Sequence, residues 1–125
     1  MSRQVIVSKD IAPAVGPFAA AVRAGDLVFV SGQVGQDPAT GKLVEGDVAA
    51  QAEQVFVNIR AVLRAAGKTM DDVVRVGVYL CDMNDFARMN AVYARQFAAP
   101  YPARTTIAVA ALPLGACVEI DLVAR

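Results

Sequence analysis

The residues of this chain best suited to chemistry lie near its C-terminal end, in Tyr101-Pro102-Ala103-Arg104-Thr105-Thr106 and in Val118-Glu119-Ile120-Asp121. Arg104 lies just after a proline and just before the run Thr105 to Val109, which reads as a strand. An arginine at the mouth of an apolar strand needs an anionic partner, and its planar guanidinium presents a fork of donors that matches a carboxylate. Glu119 falls in a second strand, where Val118, Ile120 and Leu122 point one way and Cys117, Glu119 and Asp121 the other. A hairpin through Leu112-Pro113-Leu114-Gly115 would set Arg104 and Glu119 on neighbouring strands. Two readings of the pair stay open on residue types: a structural salt bridge at a sheet edge or between subunits, and a small site in which Arg104 grips an anion while Glu119 does proton work.

Composition narrows the chemistry. The chain has no histidine, which excludes Ser-His-Asp and Cys-His catalysis, histidine-ligated metals and an imidazole base. Proton transfer then falls to a carboxylate, tyrosine, lysine, cysteine or a bound water. Of the glutamates, Glu45 follows a turn-rich stretch and Glu53 rides a helix, so Glu119 is the one expected in a confined place. Twelve basic residues balance twelve acidic ones, and without a basic run there is no electrostatic footprint for nucleic acid. Cys81 and Cys117 lack metal-type spacing and read as reduced thiols in or near the core of a cytosolic protein. The apolar run from Ile107 to Val118 is broken by Pro113 and Gly115, so no membrane span is expected, and nothing in Met1-Ser2-Arg3-Gln4 resembles a signal peptide.

The elements that must position these residues follow in order. Residues 4 to 8 read as a short strand, and Ala12 to Phe18, with two prolines and a glycine, as a stiff loop: either a pre-shaped lip or a connector whose Phe18 plugs the core. A hairpin turns at Ala24-Gly25-Asp26, and its second arm, Leu27 to Ser31, is apolar enough for a strand covered on both faces. From Val48 to Ala66 apolar residues recur at three- and four-residue steps, an amphipathic helix with Asp47 as N-cap and Gly67 as its stop. A strand over Val73 to Leu80 leads to a second helix capped by Asp82, whose stripe Phe86, Met89, Tyr93 and Phe97 faces a core. Asn90 is the polar exception on that stripe and requires a hydrogen-bond partner. The order β, β-β, α, β, α, β-β predicts one α+β domain over residues 1–125, a mixed sheet with both helices on one face. The other face has no helix left to cover it, which predicts an oligomer.

Several segments taken together resemble a known family. They are Gly16-Pro17-Phe18, Phe29-Val30-Ser31-Gly32-Gln33, Val78 to Phe86, Met89-Asn90, Tyr93, Pro102-Ala103-Arg104-Thr105-Thr106 and Leu112 to Ile120, in order and at the right separations from about Ala12 to Ala124. On these the chain is similar to the RidA (YjgF/YER057c/UK114) family of reactive-intermediate deaminases. The resemblance implies a chorismate-mutase-like fold, assembled as a homotrimer whose sheets form a central barrel with ligand clefts between subunits. It also implies hydrolysis of 2-imino acids to 2-oxo acids and ammonia without cofactor or metal. Carried over by motif, Arg104 would clamp the substrate carboxylate and Glu119 would orient or activate the attacking water. Phe18, Asn90 and the backbone around Ser31-Gly32 and Thr105-Thr106 would line the cleft. The chain departs from the family where Phe18-Ala19 replaces the usual Tyr-Ser, losing two hydroxyls, and where Thr106 stands in a position often held by cysteine. The competing expectation is a non-catalytic trimer that binds a small carboxylate, such as a 2-oxo acid, as a sensor. A ribonuclease, reported for some relatives, is poorly supported by zero net charge and no histidine.

Overall fold

Alternation of buried and half-exposed residues builds the sheet. A computed structural model of the chain describes residues 2–125. Its strands are β1 (Gln4–Ile6), β2 (Ala21–Ala24), β3 (Leu27–Gln33), β4 (Val73–Leu80), β5 (Ala103–Ala108) and β6 (Val118–Ala124), and its helices α1 (Val48–Ala65) and α2 (Phe86–Ala94). The strands join in one mixed sheet in the order β1-β2-β3-β6-β4-β5. In β6 every second residue, Val118, Ile120, Leu122 and Ala124, is buried, as expected of a central strand whose one face meets helices. Those residues pack with Val28, Val30, Val76, Val78 and Leu80 against Val55, Phe56, Ile59, Val62 and Leu63 of α1.

Local signals set the boundaries. The Asp47 carboxylate accepts the backbone N–H groups of Ala49 and Ala50 and opens α1. Gly67 closes it at φ +75°, a conformation that costs glycine little. Asp82 caps a single 3-10 turn over Met83–Asp85 rather than α2 itself, which begins at Phe86. The first strand stops at Ile6, two residues short of the expected run.

Three expectations need correction, and one open reading is decided. The last two strands form no hairpin: β5 runs parallel to β4 at the sheet edge, and β6 inserts between β3 and β4. Because α1 and α2 each carry the chain between parallel strands, a gap between β3 and β4 is left for an antiparallel strand to fill. The arm Leu27 to Ser31 is covered on one face only, and Phe29 is 41% exposed. Of the two readings left open for Phe18, the structure matches the lip and not the core plug: it is 54% exposed at the edge of a depression. Cys81 is exposed where β4 ends and Cys117 is only half-buried, so the first is no core thiol.

Candidate functional site

Arg104 sits on β5 in register with Val76 of β4, which turns its side chain toward the helices. There α2 presents Phe86, Asn90 and Tyr93 at steps of four and three residues, one face of a helix. The Arg104 guanidinium carbon lies 4.5 Å from the Tyr93 ring centroid and 5.6 Å from that of Phe86. Stacked this way the cation is held partly out of water without losing its donors. The ion pairs among the described residues use Arg88, Arg95 and Arg125, leaving Arg104 without a carboxylate. Asn90, Tyr93, Tyr101, Pro102 and Arg104 line a depression of about 300 Å³. Among the described residues three buried side-chain polar atoms lack a hydrogen-bond partner: Asn90 Oδ1, Tyr93 OH and Thr106 Oγ1. Asn90 and Tyr93 line this depression, and Thr106 lies two residues from Arg104 on the same strand face. Each such group costs roughly 1–3 kcal/mol when left unpaired. A free cation beside two unpaired hydroxyls fits a small anion, while Asn90 Oδ1, an acceptor, is placed to receive a donor such as a ligand N–H. Burial pushes the Tyr93 phenol up, and the neighbouring Arg104 charge opposes that shift.

Glu119 lies on the other face of the same sheet. It pairs in register with Tyr79, while the intervening Val118 and Ile120 point into the core. Its carboxylate rests over Gly32, where an added Cβ would come 2.6 Å from Oε2. The absence of a side chain at Gly32 is therefore what gives the carboxylate its place. Burial raises the Glu119 pKa above its ordinary value, and the Asp121 charge raises it further. Asp121 is held by Tyr79, whose hydroxyl donates to Oδ2 at 3.1 Å, and it rests over Gly77. Phe18, Gly32, Gln33, Pro113 and Leu114 border Glu119 in a depression of about 160 Å³.

The predicted residues thus divide. Arg104, Asn90 and Thr106 gather on the helix face; Phe18, Gly32 and Glu119 gather on the uncovered side. Ser31 lines neither depression through its hydroxyl, which donates to the Ala19 carbonyl at 2.6 Å and ties the Phe18 loop to β3. Thr105 accepts from Arg75 at 3.2 Å on the uncovered face. Arg104 and Glu119 stand on opposite faces with β4 between their strands, so no guanidinium stabilises Glu119 within one chain. Sequence reasoning placed Tyr93 in a core stripe and gave no role to Tyr101 or Leu114. The signal for Tyr93 was its spacing of three from Asn90, a second polar tip on that stripe. Among the described residues no cluster of three or more His, Cys, Asp or Glu could hold a metal, and no helix is long and apolar enough to cross a membrane.

Residues 9–125 match a family model described as endoribonuclease L-PSP. A RutC family protein of Pyrococcus horikoshii is 44% identical over 98% of this chain and 97% of its own length. The 2-iminobutanoate/2-iminopropanoate deaminase of Bos taurus is 43% identical over 98% of this chain and 89% of its own. The crystal structure of RidA from an Antarctic Psychrobacter superposes with a TM-score of 0.94 at 47% identity, covering 98% of this chain and 99% of that one.

Proposed function

This chain belongs to the RidA (YjgF/YER057c/UK114) family, and on that premise we propose that it is a cofactor-independent deaminase that hydrolyses reactive 2-imino acids to 2-oxo acids and ammonia. The observation that carries the reading is the separation of two uncompensated charges, Arg104 and Glu119, on opposite faces of one sheet. A site that uses both must be completed by a second copy. The exposed apolar residues Phe29, Val74 and Ile107 support a homotrimer in which the uncovered faces close on one another and each cleft takes Arg104 from one chain and Glu119 from the next.

In that cleft the Arg104 fork binds the substrate carboxylate, steadied by the Tyr93 ring and flanked by the Asn90 amide and Thr106 hydroxyl. Glu119 holds a water against the imine carbon and takes its proton as the new C–O bond forms and the C=N π electrons move to nitrogen. The same carboxyl returns the proton to nitrogen. The adduct's hydroxyl proton then passes through the same carboxylate to the nitrogen, and as the C=O bond forms the C–N bond breaks, releasing ammonia and leaving the 2-oxo acid. A carboxyl with a raised pKa suits a group that must both take and give a proton. Imines hydrolyse readily, so orientation of one water and stabilisation of charge are enough. Phe18 supplies no hydroxyl at the lip, and the mechanism asks none of it.

The test is oxo-acid formation from 2-iminopropanoate and 2-iminobutanoate generated in situ by an amino-acid oxidase. Arg104→Ala is expected to lower kcat/KM at least tenfold, the scale of a lost charged hydrogen bond. Glu119→Gln is expected to abolish turnover while a 2-oxo acid still binds. A folded wild type that does not accelerate hydrolysis would instead make the chain a carboxylate-binding protein.

A further inference from the structure

We infer that the Glu119 depression is a side-chain subsite selecting 2-imino acids with bulky apolar substituents over the smallest ones. The inference rests on the deaminase reading above for the term imino, and on the walls of the depression for the selection.

The reacting carbon of a 2-imino acid is trigonal and carries the carboxylate, the nitrogen and the side chain about 120° apart. With the carboxylate drawn to Arg104 and the carbon facing the water on Glu119, the side chain points away from the guanidinium. Because the carbon sits at Glu119, the wall nearest that side chain is the one Glu119 shares with Phe18 and Leu114 in its own chain. The walls there are largely apolar: Ile11, Pro13, Val15, Phe18 and Leu114 line them with two neutral amides, Gln33 and Gln36, and the ionisable group of the lining is Glu119. The depression measures about 160 Å³, close to the roughly 150 Å³ of an apolar cavity that takes up benzene. It has more room than a methyl or ethyl group fills.

Two features mark this wall as built to face a ligand. Leu114 is 60% exposed and holds a left-handed backbone at φ +62° within the Pro113–Gly115 turn. That conformation favours Gly, Asn or Asp, yet the position carries a large aliphatic side chain at the rim of the depression. Phe18 opposes it, 54% exposed, on a loop fixed by Ser31 at 2.6 Å. An exposed leucine and an exposed phenylalanine held by strained or tethered backbone cover little of the chain's own core. Their apolar area becomes useful when a substrate side chain enters between them.

The experiment measures both binding and turnover. Titration calorimetry compares 4-methyl-2-oxopentanoate with pyruvate, and kcat/KM compares the corresponding imines generated from leucine and alanine. The branched compound is expected to be favoured about tenfold or more in both, the usual return from added methylenes in an apolar pocket. Leu114→Asn, which suits the left-handed backbone and so preserves the fold, and Phe18→Ala should each reduce that preference to less than about threefold. Equal affinity for the two oxo acids, preference for pyruvate, or a preference unmoved by both substitutions overturns the subsite. A binding preference without imine turnover overturns the deaminase reading and leaves the subsite standing.

Discussion

The two faces of the sheet are built on different terms. Toward α1 and α2, Val28, Val30, Val76, Val78, Leu80, Ile120 and Leu122 are buried and close-packed, a face finished within one chain. On the other side Phe29, Val74 and Ile107 stay exposed and are interleaved with Arg75, Tyr79, Glu119 and Asp121. That side is carved as well as filled: Gly32 and Gly77 leave room for the two carboxylates. A face meant only for water would not carry such apolar area, and a face meant only for packing would not seat carboxylates over glycines. The covered face makes the fold; the uncovered one is the face on which the proposed trimer and reaction draw.

Substitutions separate the two roles. On the finished face, Ile59→Ala removes a fully buried side chain and is expected to cost roughly 2–5 kcal/mol in urea unfolding. A loss well under 1 kcal/mol would mean that face tolerates voids and is not the core. Phe29→Lys on the open face should leave the chain folded yet keep it monomeric in analytical ultracentrifugation, because a charge replaces apolar area at the inferred contact. An unchanged sedimentation coefficient would remove Phe29 from any interface. Gly32→Ala tests the carving: its methyl would press on the Glu119 carboxylate, so imine turnover should fall by about tenfold or more, with unfolding stability changed by less than about 1 kcal/mol.

The smallest effect concerns ionisation. Burial raises the Glu119 pKa above its unfolded value, so the folded chain holds the proton more tightly. The cost of ionising it in the folded state is absent below the unfolded pKa and complete once pH has passed the folded one. In a Phe29→Lys background that keeps copies apart, Glu119→Gln should therefore raise the urea midpoint slightly near neutrality and leave it unchanged at about pH 3. A midpoint gain that is largest in acid would reverse the assignment.

Much of this was legible from residue pattern. The periodicity of Val48 to Ala66, the Asp47 cap and the Gly67 stop defined α1 closely, and Arg104 and Glu119 stood out as candidates by type and place, with a structural salt bridge left open as the other reading. Strand order was not. Alternation in residues 118–124 reports that one face is buried, but it is silent on which strands flank it, so a short loop suggested a hairpin where β6 in fact lies at the centre. Phe18 stayed open for a related reason: an aromatic in a proline-rich loop carries the same signal whether it points inward or outward. The Tyr93 hydroxyl became conspicuous only as an atom, when burial without a hydrogen-bond partner could be recognised, and the same observation adds the side chain of Thr106 to a residue already expected at the cleft through its backbone.

The placement of Arg104 and Glu119 on opposite faces has a genetic consequence. In the proposed trimer no chain owns an active site, so two inactive alleles can rescue each other. Chains bearing Arg104→Ala still offer a sound Glu119, and chains bearing Glu119→Gln still offer a sound Arg104. Unfolding the two together and refolding them at equal amounts would restore about one cleft in four by random assortment around the ring. Either allele alone would remain silent, and a wild-type chain sharing a ring with either would lose part of its own activity.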